Sequence, residues 1–264
     1  MREKAVFQVR LRRGAQARVL RGHPWVFAGE LETLPEGAVP GDVADLFDDR
    51  DRYVGRGFLS PGATLALRIL SRSKEASFDA AFFEGRLARA LEWRRRLLPG
   101  VEALRLVAGE ADALPGLVVD RYGAHLVLQA TTAGMERRLP EITEALLTLV
   151  QPESILARHD IPMREREGLP LEVRQIHGET PRELQALGLA FDPWEGQKTG
   201  LYLDQRELYG LLKGRAGGRR ILDLFCYVGG WAAAAHKEGA REVVGVDSSA
   251  AALGFARRNA PGAS

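Results

Sequence analysis

The sequence predicts a multidomain α+β and α/β protein: an N-terminal β barrel, a small central α+β domain, and the start of a doubly wound α/β domain. Three observations carry that expectation. Residues 1–76 hold short alternating apolar and polar runs punctuated by Gly and Pro, the pattern of a small barrel. Residues 77–190 contain a linker helix and then paired apolar strands around an amphipathic helix. Residues 191–264 close on strand, glycine turn, helix, strand and helix. At 264 residues, 45% hydrophobic and 27% charged, the chain has enough apolar material for two or three cores and is neither disordered nor membrane-like in composition.

In the first unit, "AVFQVRLRRG" alternates apolar and basic side chains, as a half-buried strand does. "GHPWVFAGEL" supplies a Pro-Trp-Val-Phe cluster suited to capping the barrel. A turn at "PGDV", a strand at "VADLFD", and two strands in "YVGRGFLSPGATLALRIL" separated by Pro61 and Gly62 complete it. Up to Arg21 there are seven basic residues (Arg2, Lys4, Arg10, Arg12, Arg13, Arg18, Arg21) against one acid, Glu3. On a chain of net charge +2, that concentration suits a polyanion such as RNA; a solvated arginine-rich face is the plainer alternative.

From Phe78 to Leu98, Phe82, Phe83, Leu87, Leu91 and Leu98 fall near one helical face, and Pro99-Gly100 ends the helix. Its "WRRRLLPG" end suits either a second phosphate contact or a helix C-terminus favoured by its dipole. "LPGLVVDRYGAHLVLQAT" predicts a hairpin, "MERRLPEITEALLTLV" a helix, and "SILAR" and "LEVRQIHG" further strands. Asp120, Arg121 and Tyr122 form either a functional cluster or simply a strand edge. In "FDPWEGQKTGLYLDQRELYGLL" a polar loop leads into a helix expected from Leu203 or Asp204, with Asp204 and Glu207 as a capping box.

"RRILDLFCYVGGWAAAA" then predicts a buried parallel strand, Ile221 to Phe225, a bend at Gly229 and Gly230, and an alanine helix. "EVVGVD" is the second strand, ending in Asp247. In such sheets ligands bind beyond the carboxyl ends of the strands, and an acid at the tip of the second strand grips ribose hydroxyls. No G-x-x-x-x-G-K-[ST] and no G-x-G-x-x-G is present, so a dinucleotide oxidoreductase is disfavoured. S-adenosylmethionine (SAM) fits better, with Asp223 available to its cationic methionine end.

"GQKTGLYLDQR", "LDLFCYVGG" and "VVGVDSS", with "LPGLVVDRYG" upstream and "LRRG…GHPWVFAGE" at the start, resemble the PUA-domain-containing class I SAM-dependent methyltransferases of large-subunit ribosomal RNA. The resemblance covers essentially the whole chain. It implies a PUA-like RNA-binding barrel, a central domain, a Rossmann-like methyltransferase domain, and methylation of 23S rRNA at cytosine C5. It further implies SAM contacts at Asp223, Phe225, Cys226, Tyr227, Gly229 and Gly230, at Asp247 for the ribose, and at Ser248 beside the adenosine. Gln197 to Arg206 would fold across the cofactor, with Gln197, Lys198, Tyr202 and Arg206 as candidate contacts. RNA contacts are expected at Arg10, Arg12, Arg13, Arg18 and Arg21. Phe225 and Tyr227 stand where commoner methyltransferases carry glycine.

The family's Asp-Pro-Pro motif and its catalytic cysteine are not found in these residues, so the catalytic residues stay unassigned and the expectation is a C-terminally incomplete chain with little transfer activity of its own. An RNA-binding module without catalysis is the competing expectation. Cys226, the single cysteine, excludes an internal disulfide framework and a cysteine-clustered zinc site, and no metal is expected. "MREKAVFQVRLRRG" lacks the apolar block of a signal peptide, which suits a cytoplasmic protein without a membrane partner. Oligomeric state is left open, a homodimer included.

Overall fold

The computed structural model describes residues 6–263; Arg2, Glu3 and Lys4 of the basic opening lie outside them. The first unit comprises β1 (Phe7–Arg10), a one-turn helix α1 (Gln16–Leu20), β2 (Trp25–Phe27), β3 (Val43–Phe47), β4 (Tyr53–Leu59) and β5 (Leu65–Ser71), in the sheet order β1-β3-β4-β5-β2. Only β1 and β3 run parallel. A bridge between Leu11 and Leu31, flanked by Arg12 N–H to Glu30 C=O at 2.8 Å and Glu32 N–H to Arg10 C=O at 2.9 Å, joins the two edges into a barrel. Val9, Leu11, Val26, Leu46, Leu59 and Leu67 fill it. The Trp25-Val26-Phe27 cluster is not a cap, as the sequence suggested. It is an edge strand whose middle residue alone points inward, and α1, unforeseen, buries Val19 against the same core.

Asp79 caps α2 (Ala80–Leu97) by accepting the Phe82 N–H at 3.0 Å. The central sheet follows: β6 (Ala103–Ala108), β7 (Leu117–Tyr122), β8 (His125–Ala130), β9 (Ser154–Arg158) and β10 (Val173–His177), in the order β10-β9-β8-β7-β6. Between β8 and β9 the expected single helix is two, α3 (Ala133–Arg137) and α4 (Leu139–Val150). Pro140 sits in the first turn of α4, where its missing N–H costs nothing, and so starts a new helix. Phe83, Leu87 and Leu91 of α2 and Ile142 and Leu146 of α4 pack on one sheet face. The barrel docks on this domain through the buried Arg68–Glu167 ion pair at 2.7 Å and Arg137–Asp42 at 2.9 Å. Gly134 touches the barrel so closely that a Cβ there would overlap the Phe58 ring.

The other face of the central sheet is covered by the last unit. A hairpin of β11 (Leu184–Ala186) and β12 (Leu189–Phe191) turns at Leu187 and Gly188, both left-handed with φ of 57° and 75°. Phe191, Leu201, Tyr227 and Val228 share one core with Tyr122, Val127 and Leu156 of the sheet. β13 (Arg220–Leu224), α5 (Gly230–Lys237), β14 (Glu242–Val246) and α6 (Ala250–Asn259) form the parallel β-α-β unit and its following helix. The Asn259 side chain donates to Ala190 C=O at 2.9 Å and Val228 C=O at 2.8 Å, tying α6 to the hairpin.

Two expectations fail here. No α-helix begins at Leu203 or Asp204; 3-10 turns at Leu203–Gln205 and Leu208–Leu212 stand instead, and no Asp204–Glu207 capping box forms. Leu208 and Leu211 stay exposed, so an α-helix would gain too little burial to hold, and Glu207 pairs with Arg206 at 2.9 Å. Nor is the Ile221–Phe225 strand buried. It ends at Leu224, and Leu222 is 61% exposed because no helix among the described residues covers that face. None of the described helices is long and apolar enough to cross a membrane.

Candidate functional site

A cleft of about 420 Å³ opens at the carboxyl ends of β13 and β14. Its floor is the turn between β13 and α5, where Phe225 and Tyr227 adopt left-handed φ of 62° and 50° around Cys226, followed by Gly229 at 80°. Non-glycine residues reach that region at an energetic cost and persist only where their surroundings hold them. Here Asp247 holds the turn: its carboxylate accepts the Tyr227 N–H at 2.9 Å and the Ser249 N–H at 2.9 Å. Asp223, at the end of β13, accepts the Ala232 N–H at 3.1 Å from the first turn of α5. The two acids that line the cleft are thus placed by adjacent parallel strands, with the register pairing Asp223 to Gly245 and Leu224 to Val246.

The roof is the 196–205 segment. Tyr227 Oη donates to Gly200 C=O at 2.8 Å and accepts the Gln197 N–H at 3.1 Å. Tyr202 Oη hydrogen-bonds Gln197 Oε1, and its ring lies edge-on to Tyr227 with centroids 5.8 Å apart. Three ties reach the roof from the central sheet. Thr199 Oγ1 donates to the fully buried Asp120, itself held by a two-pronged ion pair with Arg105 at 2.8 and 2.9 Å. Leu201 N–H donates to Tyr122 Oη at 3.0 Å. Arg158 donates to Pro193 C=O at 2.8 Å and Gly196 C=O at 2.6 Å. Asp120 and Tyr122 are therefore anchors of the roof, and among the described residues the Arg121 side chain bonds its own turn at Gly123 C=O, 2.7 Å.

Of the twelve cofactor candidates, the cleft brings together Asp223, Phe225, Cys226, Tyr227, Gly230, Asp247, Ser248, Gln197 and Tyr202. Gly229 shapes the turn from behind, packed against Ala256. Lys198 and Arg206 line a neighbouring depression with Arg105 and Asp204 instead. Lys198 Nζ stacks over Tyr202 at 4.8 Å, and Arg206 donates to Ala103 C=O at 3.2 Å. Sequence reasoning missed Gln205, Tyr209 and Trp231, which close the cleft on the α5 side: Trp231 Nε1 donates to Gln205 Oε1 at 3.0 Å, and Tyr209 stacks edge-on against Trp231 at 5.1 Å. Tyr209 Oη lies over Gly230 at a place a Cβ would occupy, which is the reason for glycine there. No local pattern announces these contacts.

The charged side chains among the described lining residues are Asp223 and Asp247, with no Lys or Arg. Burial and then the Asp247 charge push the Asp223 carboxyl up, against the Ala232 N–H. A cation in the cleft would relieve that repulsion, whereas a phosphate would add to it. Burial, with Asp223 and Asp247, also pushes the Cys226 thiol up, and Cys226 packs under Gly245, so it is no ready thiolate. Tyr227, pushed up to about 12 by burial, stays a hydrogen-bond donor at neutral pH.

The basic opening is divided by the structure. Arg10 pairs with Asp51, Arg18 with Glu30 at 2.7 Å, and Arg12 donates to Leu31 C=O at 2.7 Å. Arg13 and Arg21 are exposed, and their side chains make no hydrogen bond or ion pair among the described residues. Glu136, His159 and Glu172 also converge, unseen by linear spacing. Glu136 already carries Arg164 and Arg174, each at 2.8 Å, which leaves little charge for an ion.

Two parallel strands thus carry a carboxylate each near their carboxyl ends, beside a left-handed turn. Residues 158–261 match the S-adenosylmethionine-dependent methyltransferase family, and residues 9–72 match the PUA-like domain family. The chain is 37% identical over 256 residues to ribosomal RNA large subunit methyltransferase I of Cronobacter sakazakii, and 38% identical over 256 residues to the protein of that name from Salmonella typhi. Each match takes in 94% of this chain, which spans 65% and 64% of those relatives' lengths. A Streptococcus mutans structure assigned to the SAM-dependent methyltransferases superposes with a TM-score of 0.81 at 20% identity, covering 97% of this chain and 67% of that one. A second, of an assigned methyltransferase complexed with SAH, gives 0.80 at 20% identity over 98% of this chain and 67% of its own. These two likenesses show the fold.

Proposed function

We propose that the cleft between Asp223 and Asp247 binds SAM, and that the chain belongs to an enzyme that methylates large-subunit ribosomal RNA. The observation that carries this reading is the charge of the cleft: two carboxylates, no base, at the tips of adjacent parallel strands. SAM brings a sulfonium and an ammonium, so its reactive end fits an acidic cleft, whereas a dinucleotide's pyrophosphate would be repelled. Asp247 would accept the ribose hydroxyls and Asp223 the ammonium. Phe225, 89% exposed, Tyr202 and Ser248 border the space left for the adenosine. When bound, SAM supplies an electrophilic methyl group; this chain's residues hold and orient it and keep water out through the roof.

The finer target, 23S rRNA at cytosine C5, follows from the sequence resemblance. Addition of a thiolate to C6 activates that carbon, and Cys226, raised and packed against β14, serves the turn rather than that step. The barrel would present RNA through Arg13 and Arg21, exposed candidates whose side chains make no hydrogen bond or ion pair among the described residues.

Isothermal calorimetry with SAM, SAH, NAD and ATP tests the cofactor. SAM and SAH should bind, NAD and ATP should not, and Asp223→Ala or Asp247→Ala should weaken SAH about tenfold or more, the loss of one charge-assisted contact. No heat from SAH, or unchanged affinity in both variants, would overturn the reading. Transfer of a labelled methyl group to unmodified 23S rRNA, with the modified nucleoside identified, tests the target.

A further inference from the structure

We propose that a second nucleic-acid site lies outside the cleft and the barrel: a groove of about 540 Å³ between α2 and the 109–113 turn that takes an unstacked nucleotide of a single-stranded RNA segment. The inference rests on the RNA reading above. Arg86, Arg89, Trp93 and Arg96 succeed one another at spacings of three, four and three residues, which puts them on one stripe of α2. Trp93 is 56% exposed on that stripe, although the opposite face buries Phe83, Leu87 and Leu91 in the core. A flat indole left open between guanidinium groups offers a stacking platform flanked by phosphate ligands, the combination that single-stranded nucleic-acid sites use.

Only part of the charge is neutralised: Glu92 and Asp112 line the groove beside four arginines, Arg86, Arg89, Arg94 and Arg96. Arg96 pairs with Glu92 at 2.7 Å on an exposed turn, while Arg89 has no acid partner among the described residues. Arg86 donates to Leu70 C=O at 3.0 Å and lies over the Phe82 ring at 5.1 Å, and burial, then the Arg89 charge, push its guanidinium down from its ordinary value. The far wall is rigid. Arg94 makes a two-pronged pair with Asp112, and Asp112 also accepts the Ala108 N–H at 2.6 Å. Trp25 of β2 donates to Glu110 at 2.8 Å, which links this wall to the barrel and makes the groove a continuation of its surface. An A-form duplex keeps its bases stacked and could use the arginines but not the indole.

Fluorescence anisotropy of a labelled single-stranded RNA oligonucleotide on the whole chain tests this. Trp93→Ala should weaken binding about tenfold, within the range for one lost base–aromatic stack, and Trp93→Phe should retain most of it. Arg89→Ala should lower the slope of log K against log salt by about 0.7, one phosphate contact on a single strand. SAH affinity should not change in any of these variants. Wild-type affinity in Trp93→Ala, or equal binding of duplex RNA or of a glutamate-rich peptide, would overturn the proposal. If Arg13→Ala and Arg21→Ala weaken RNA and the groove variants do not, the RNA reading stands and the groove falls. If no RNA binds at all, both fall while the SAH result still judges the cleft.

Discussion

Tyr227→Phe removes one oxygen and keeps the ring. That oxygen joins floor to roof: it donates to Gly200 C=O at 2.8 Å and accepts the Gln197 N–H at 3.1 Å. A typical internal hydrogen bond is worth about 1 kcal/mol net, so losing both should cost about 2 kcal/mol. For a chain of this size that corresponds to a melting point lower by roughly 4–8 °C. The effect should be local in origin. Hydrogen exchange followed by mass spectrometry should show the 196–202 segment exchanging faster, with the barrel strands unchanged. SAH affinity should fall with it, because the roof closes the cleft. A melting point within about a degree of wild type, together with unaltered protection at Gln197, would refute the view that Tyr227 holds the roof down.

His159 is buried and its Nε2 accepts the Ala130 N–H at 3.1 Å. Burial, reinforced by the Arg164 charge, lowers it from 6.5 to about 4. The unfolded chain therefore takes up a proton first as pH falls, and stability present above 6.5 is lost progressively down to about 4, on the order of 3 kcal/mol in all. Urea midpoints across that window should fall in the wild type and flatten in His159→Gln. Arg68→Met strands the Glu167 carboxylate, 2% exposed, between barrel and central domain, and should destabilise by about 3 kcal/mol or more in denaturant melts. Arg68→Met with Glu167→Met should recover much of that. Gly134→Ala drives a methyl group into the Phe58 ring and should loosen the same interface, seen as faster limited proteolysis between barrel and α2.

Elements with local signals were legible. An apolar stripe from Phe82 to Leu98 and Pro99-Gly100 after it marked α2, and strand, glycine turn, helix and strand-end acid marked β13 to β14. The cleft's two acids came from the same pattern. What stayed hidden depends on residues distant in sequence. Thr199 meets Asp120, and Leu201 meets Tyr122, across 79 positions each. Tyr209 and Trp231 face each other only because the 203–212 segment turns in tight 3-10 steps where local capping chemistry predicted an α-helix. β6 was missed because Arg105 interrupts its apolar run, and that arginine is spent on Asp120 across the sheet.

The ties from Asp120, Tyr122 and Arg158 have a mechanical consequence. The lid over the cleft is fastened to the neighbouring domain's sheet, which itself is bolted to the barrel by Arg68–Glu167. Barrel, central sheet and roof thus form one continuous chain of contacts that ends at the cleft. Were a ligand on the barrel to change the affinity of the cleft, reciprocity would require filling the cleft to change the barrel's affinity by the same free energy.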